Sequence, residues 1–561
     1  MQVRRTVPLA AAIGICLLLP SALAQSQVKI TTISPTSLAP GMILAINGSG
    51  FGTKAGSVSF GTITVKAPIS WTNSQVVVTV PNGVTAGSLH LVTSNGTSSN
   101  SETHTVLSLP VISLQMKVTG GTYPPMQLNG TFTGSRLWDA SPSSTTGNAW
   151  SVLEPASGSY DFDNVDAALA ALYAGGVKDG IDFTFGAVPN WASSAKTDRG
   201  CAFGEGTCDL PSDLAPDGTG TDSTFVTFVT ALAQHVNNTA YLQGAAPYTQ
   251  PHAHIKFWEV WNEWYANPTV NSNFSKCGNA TPPTCQIKAT YAQMVRLAED
   301  VRCTITGAGA VNGTACTSSP IDTTALILTP SSEPSNVAAT QVMENFLHCD
   351  SPINNSACPT GNRGSSAVDV IAWHTYPAST PAVPEDLLGV MKTNENEYIL
   401  STTDLARPTF STEGSWGTHA PPSAEEPGFV ARYLLDCFSA GYRFCNWYEY
   451  DNAGWGTLCN NAPMCSGLDP AGVAFGEVSS WLEGNTLSAC TAGGSDGTTY
   501  TCMITTPSGS KTEAVWDTFD TPSFSSPAWA TEYFNVDGTS NLITGGTMVS
   551  IGYEPILFSQ N

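Results

Sequence analysis

The sequence predicts an α/β protein: a (β/α)8 TIM barrel with an immunoglobulin-like β-sandwich before it and a β-rich appendage after it. Three observations carry this. Between residues 110 and 486, short apolar strands alternate with amphipathic helices, which builds a parallel sheet and, over this length, a barrel. Residues 28–107 contain only short alternating β-type runs between Gly, Asn and Pro turns. After Leu487 the helical period disappears.

The chain opens with Arg4 and Arg5, an apolar run from Ala10 to Leu19, and the small residues Ala22 and Ala24. That is a secretory signal peptide over residues 1–24, too short to remain as a membrane helix. The mature protein is therefore expected to be secreted or periplasmic, with no membrane span. The full chain has 21 basic and 44 acidic residues; losing Arg4 and Arg5 with the leader leaves a net charge of −25. This balance argues against nucleic acid or an anionic membrane surface as partner.

Cys16 lies in the leader, and the other fourteen cysteines all follow residue 200. They fall into close neighbours: Cys201 with Cys208, Cys277 with Cys285, Cys303 with Cys316, Cys349 with Cys358, Cys437 with Cys445, Cys459 with Cys465, and Cys490 with Cys502. An even count in an exported chain points to disulfides, and sequential pairing is expected because each pair brackets a short, turn-rich stretch. No CxxC spacing or neighbouring histidine cluster favours metal instead.

In the first segment the strands include Ile43–Ile46, Ser57–Phe60 and Gln75–Val80. Ser34-Pro35, Pro40-Gly41, Ile46-Asn47-Gly48-Ser49-Gly50-Phe51-Gly52, Trp71 through Pro81 and Ser94-Asn95-Gly96 resemble an IPT/TIG domain. The resemblance implies a spacer or a module that binds glycan or protein, and no catalytic constellation lies in it. In the second segment Val165, Leu169, Leu172 and Tyr173 share one helical face, with Asp163 as the expected N-cap and Gly175-Gly176 as the stop. Further helices are predicted near 223–236, 290–303, 427–440 and 476–482. Strands are predicted at Phe183–Phe185, Ile255–Trp261, Ala325–Leu328, Val368–Trp373 and Phe444–Tyr448. The third segment, 487–561, contains strand-like runs at Tyr500–Thr505, Glu513–Asp517 and Glu554–Phe558. Its linker is short and neither Pro- nor Ser-rich, so it is expected to pack on the barrel.

Barrel chemistry sits where strands end at the C-terminal face. Three strand ends carry reactive groups: Trp261-Asn262-Glu263, Trp373-His374-Thr375-Tyr376-Pro377, and Phe410-Ser411-Thr412-Glu413 followed by Gly414-Ser415-Trp416-Gly417. Glu263 and Glu413 are 150 residues apart, room for three enlarged βα units, which puts them on strands 4 and 7. Paired carboxylates in aromatic surroundings suit glycosidic-bond cleavage, where one acid protonates a poor leaving oxygen.

These motifs resemble the retaining glycoside hydrolases of clan A, most nearly family 39 and its relatives. Arg136-Leu137-Trp138-Asp139, Gly158-Ser159-Tyr160-Asp161-Phe162 and Val188-Pro189-Asn190-Trp191-Ala192-Ser193 belong to the same likeness, which spans residues 130–485. It implies Glu263 as acid/base, Glu413 as nucleophile, Asn262 on the sugar 2-hydroxyl, and a carbohydrate substrate with no cofactor or metal. His374, Tyr376, Trp138, Trp191 and Trp447 are the expected substrate-binding residues, with Trp447 as the floor under the sugar and Tyr376 tuning the nucleophile. A β-xylosidase-like activity is the first choice. The alternatives are an endo-acting clan A glucanase or hemicellulase, and an inactive surface carbohydrate-binding or adhesion protein. Trp264 stands where many relatives have Pro, which alters the loop after the acid. Glu449 is the rival nucleophile but lacks a following Gly-rich loop. Glu259 is expected to pair with a cation such as Arg136. Asp217–Asp222 superficially resembles a calcium loop yet lacks further acidic ligands, so a turn is expected there.

Overall fold

The computed structural model describes residues 27–560 apart from 40–41, 82, 107–110, 117–131, 140–146, 195–208, 265–286, 288, 349–362, 400–401 and 495. The expected leader lies outside the described residues. So do three of the expected disulfides: that of Cys201 with Cys208, that of Cys277 with Cys285, and that of Cys349 with Cys358. The other four expected pairs are disulfides: Cys303 with Cys316, Cys437 with Cys445, Cys459 with Cys465, and Cys490 with Cys502. They fit folding in an oxidising compartment. Among the described residues, no helix is long and apolar enough to cross a membrane.

Eight parallel strands form the barrel: β1 (Val111–Leu114), β2 (Ser135–Leu137), β3 (Ile181–Thr184), β4 (Ile255–Glu259), β5 (Leu326–Leu328), β6 (Ile371–His374), β7 (Thr409–Glu413) and β8 (Tyr442–Trp447). They pair in the orders β2-β3-β4-β5 and β1-β8-β7-β6. Parallel bridges from Ser113 to Gly134 and from Leu328 to Val370 join the two halves at both edges and close the ring. Gly134 is needed at the first seam, where a Cβ would meet Val111 Cγ1 at 2.6 Å and the Gly180 carbonyl oxygen at 2.8 Å.

A helix follows each strand from β2 onward: α1 (Asp163–Ala174), α2 (Ser223–Val236), α3 (Tyr291–Thr306), α4 (Val337–His348), α5 (Val390–Tyr398), α6 (Glu426–Ser439) and α7 (Pro470–Leu482). Their local signals are physical. α2 buries Phe225, Phe228, Val229, Leu232 and Val236 on one face. α3 begins with a capping box of Thr290 and Gln293, and α7 has Asp469 as N-cap with Pro470 in its first turn. The expected Asp163 cap is corrected: Phe162 is the N-cap and Asp163 is the first helical residue, with its N–H donated 3.2 Å to Asp161. Acidic Asp163 still sits favourably at the positive end of the helix dipole.

Inside the barrel, Phe257, Phe410 and Phe444 pack with ring centroids 5.0–5.7 Å apart. Above this apolar floor the inward positions become polar. Residues 29–106 form a two-sheet sandwich of four and five strands. It docks at the end of the barrel where strands begin. There Arg302 of α3 pairs with Asp369 at 2.9 Å and donates to the Ile43 carbonyl at 3.2 Å. Ala308 completes the contact against Ile43, Ala45 and Val77. The C-terminal strands pack on α6 as expected: Arg432 lies 3.7 Å from the Tyr553 ring centroid, and Glu385 accepts from both Arg432 and Trp516.

At the strand-start end, His254 lies between Asp179 (3.0 Å) and Asp322 (2.8 Å). Burial alone would lower its pKa, but the two hydrogen-bonded carboxylates outweigh it and raise the imidazole to about 9. The stabilisation from this group is complete below about pH 6.5, the ordinary value, and is lost as pH rises through about 9. The thermal midpoint is therefore expected to fall between pH 7 and 10, and a His254→Gln variant to show a smaller fall, as followed by scanning calorimetry.

Candidate active site

The site is a cluster of carboxylates ordered by one buried guanidinium. Arg136, at the centre of β2, is fully enclosed. One of its terminal nitrogens donates to Glu259 Oε1 at 2.9 Å and to Asn262 Oδ1 at 2.7 Å; the other donates to Glu413 Oε1. Asp182 Oδ2 of β3 lies 3.6 Å from its Nε. Burial and the adjacent Glu259 charge push Asp182 well above the usual carboxylate range. Arg136 thus hydrogen-bonds both Glu259 and Glu413. Glu259 has the structural partner expected of it, while the direct hold of Arg136 on Glu413 was not foreseen.

Removing this cation leaves buried carboxylates without compensation, a loss of about 3–5 kcal/mol. Arg136→Met is expected to destabilise the protein by that order. The loss is larger at pH 8 than at pH 5, because protonating the carboxyls relieves it. Urea unfolding at the two pH values tests this.

Glu263 and Glu413 reach the mouth by two local irregularities. Glu263 follows β4 in a left-handed conformation, φ 39°, uncommon outside glycine. Its N–H donates to Ser331 Oγ at 2.9 Å. On β7, Phe410 points inward, so strict alternation would turn Glu413 outward. A register shift opposite Trp373 and His374 absorbs Thr412 and brings Glu413 in.

His374 Nδ1 of β6 lies 2.8 Å from Glu263 Oε1 and 3.3 Å from Glu413 Oε2. One ligand atom from each of these three residues lies within 4.8 Å of the others, a spacing that could also cradle a cation. Burial would lower His374, but the charge of Glu413 and the bond to Glu263 carry it above its ordinary value. Tyr376 donates its hydroxyl to Glu413 Oε2 at 2.9 Å. Burial, then the Glu413 charge, lifts the Tyr376 pKa so that it remains a donor. Glu413 itself is pushed up by burial and pulled back by His374 and Arg136.

The remaining expected residues divide. Trp138 lies at the end of β2 over Gly186, where a Cβ would sit 2.2 Å from the indole; only glycine allows this approach. Trp447 is corrected: on β8 Phe444 and Asn446 point inward, so Trp447 points outward. Its ring is fully buried against Trp416, Phe429 and Tyr433, and its Nε1 donates to the Gly456 carbonyl at 2.6 Å. It cannot be a sugar floor. The half-buried aromatics at the mouth are Tyr376, Tyr448 and Trp455, with centroids 5.6–6.4 Å apart. Trp191 stands edge-on to Trp150 and donates to the Glu154 carbonyl at 2.9 Å. Among the described residues, none of its contacts reaches the carboxylate pair.

Trp264 is buried against Tyr291 of α3 and Phe346 of α4, pinning the loop start to the helical layer. The rival Glu449 accepts from Asn452 at 2.6 Å in the loop after β8. Asp217 accepts from the backbone and hydroxyl of Thr219, a turn as expected. Asp139 accepts from Tyr448 at 2.7 Å; the aromatic Tyr448 beside Glu449 was the missed signal at the end of β8.

A closed βα barrel with paired glutamates on the ends of β4 and β7 defines the clan A class of glycoside hydrolase architecture. Comparison with known proteins agrees. Residues 29–106 match the family model described as IPT/TIG domain, and residues 137–297 match the glycoside hydrolase family 42 model, described as beta-galactosidase. The chain thus carries an N-terminal IPT/TIG domain followed by a glycoside hydrolase domain. A solved family 39 glycoside hydrolase from Bacteroides cellulosilyticus WH2 superposes with TM-score 0.52 at 15% identity, over 95% of this chain and 100% of that one. At that identity the likeness establishes the fold. Cyclomaltodextrin glucanotransferases from Bacillus sp. (strain 6.6.3) and Paenibacillus macerans are 38% identical over 84 residues and 33% identical over 103 residues. These matches cover 14% and 18% of this chain, and only 12% and 14% of those proteins.

Proposed function

We infer that the protein is an exported glycosidase that cleaves O-glycosidic bonds by double displacement with retention. The observation that carries this reading is the approach of Glu263 and Glu413, with carboxylate oxygens within 4.8 Å across His374. Retaining pairs stand about 5–5.5 Å apart, whereas inverting pairs stand roughly 6.5–9.5 Å apart to admit a water. In the first step a Glu413 oxygen bonds the anomeric carbon while the bond to the leaving oxygen breaks, and Glu263 gives that oxygen its proton. In the second, Glu263 takes a proton from water, whose oxygen displaces Glu413. Arg136 and Tyr376 hold the nucleophile and accept the change in its charge. The Arg136 contact occupies the amide oxygen of Asn262 and turns its nitrogen end to donate, which suits a sugar 2-hydroxyl.

Export is supported by the leader-like N-terminus and the four disulfides. β-Xylosides are the first substrate class to try. β-Galactosides come next, because the family model matching residues 137–297 is one of β-galactosidases. The test is hydrolysis of a panel of aryl β-glycosides and polysaccharides, with the anomer of the first-formed product followed by NMR. Retained product is expected; inverted product overturns the mechanism. Glycan binding without hydrolysis by the parent protein would instead support the carbohydrate-binding reading.

A further inference from the structure

The double-displacement reading uses two carboxyls, but three line the same rim. The chain after β5 runs through Ser331-Ser332-Glu333 at the C-terminal face, where Ser332 forms a parallel bridge with Trp373 of β6. Ser331 Oγ accepts the Glu263 N–H at 2.9 Å, and the Ser332 carbonyl accepts the His374 N–H at 2.7 Å. This segment therefore supports both flanks of the acid. The Ser332 hydroxyl turns outward to the Ala339 carbonyl of α4, so alternation returns Glu333 to the mouth, opposite in sense to Ser332. There its carboxyl is subject to the charges of Glu263, His374 and Glu413. The consecutive strand ends β4, β5, β6 and β7 thus present Glu263, Glu333, His374 and Glu413 in an unbroken arc.

The other members of the arc are held: Glu263 by His374, and Glu413 by Arg136 and Tyr376. Among the described residues, no hydrogen-bond donor meets the Glu333 carboxyl. Glu333 is half-buried at the rim, so its carboxyl is open to a donor entering the mouth. Sugar hydroxyls are such donors. The departing sugar carries the oxygen that Glu263 protonates, so it lies on the acid's flank, beside β5.

We propose that Glu333 is a specificity-determining residue that hydrogen-bonds the hydroxyls of the leaving-group sugar. The proposal rests on the glycosidase reading. Burial, then the Glu263 charge, with His374 opposing, sets the Glu333 pKa at about 7. At neutral pH the group can therefore both donate and accept.

The test compares two substrates with the same glycone: a disaccharide and a nitrophenyl glycoside, whose leaving group has no sugar hydroxyl. Glu333→Gln is expected to lower kcat/KM on the disaccharide by roughly 10–100-fold more than on the nitrophenyl glycoside, which keeps measurable activity. The retained aryl activity reports an intact fold. Equal losses on both substrates, or no loss on either, overturn the proposal. A second measurement uses the parent protein and Glu333→Asp, partitioning the glycosyl-enzyme between a monosaccharide acceptor and methanol. A selective loss of transfer to the sugar supports the contact; unchanged partitioning overturns it. Parent protein inactive on every glycoside would instead defeat the glycosidase reading itself.

Discussion

Glu413→Ala is expected to abolish turnover, lowering kcat by roughly 10⁴–10⁶-fold, the order seen when a covalent nucleophile is removed. The variant should also regain activity with added azide. Azide is small enough to enter the space left by the side chain and attack the anomeric carbon directly. The resulting glycosyl azide has inverted configuration, because one displacement replaces two. Azide rescue with retention would show that the nucleophile lies elsewhere, with Glu449 the residue to examine next. Deleting Glu413 also leaves the buried Arg136 nitrogen and the Tyr376 hydroxyl without that acceptor, so a loss of about 1–3 kcal/mol in stability should accompany the loss of activity. A large fall in thermal midpoint would mark the variant as misfolded rather than disarmed.

Glu263→Ala is expected to lower kcat/KM by roughly 10²–10⁴-fold on substrates with poor leaving groups. Dinitrophenyl glycosides should be affected much less in the first step, since their leaving group departs without a proton. With them the second step becomes limiting, because water loses its base. A pre-steady-state burst of dinitrophenolate equal to the enzyme concentration is the expected signature, and azide should speed turnover and yield a retained glycosyl azide. Opposite product configurations from Glu263→Ala and Glu413→Ala would assign the two roles independently of the structure. Equal losses across all leaving groups would remove Glu263 from the role of proton donor.

Much of this was legible from local pattern. The helical period of 223–236 matches α2, because an apolar stripe at helical spacing has one stable placement, against the barrel. The strand ends carrying Glu263, His374 and Glu413 were found because reactive groups stop apolar strands at the same face. Trp447 was misread for a reason inherent to parallel barrels. Their strands are buried on both sides, so hydrophobicity cannot distinguish the lumen from the helical layer. Phe444 and Trp447 look alike in sequence, yet one packs in the lumen and the other under α6. Glu333 was missed because Ser331-Ser332-Glu333 follows a strand of only three residues and reads as a loop.

The sequence alone determined the β-sandwich, barrel and β-appendage, the close cysteine pairing seen in four disulfides, and the two strand ends that carry the carboxylates. The same spacing rule keeps Cys201 and Cys208, Cys277 and Cys285, and Cys349 and Cys358 as expected pairs outside the described residues. Hydrophobic period, turn residues and short spacing are local, and local patterns survive without knowledge of the fold. Which side chains meet was decided only by tertiary structure. The absorbed Thr412 before Glu413 reverses a side chain against simple alternation, and a left-handed turn sets Glu263 after β4. Closure of the ring then brings Arg136 from β2 to Glu413 on β7, 277 residues away. That contact arises from barrel geometry, because parallel strands distant in sequence converge on one axis, and no periodicity along the chain encodes it.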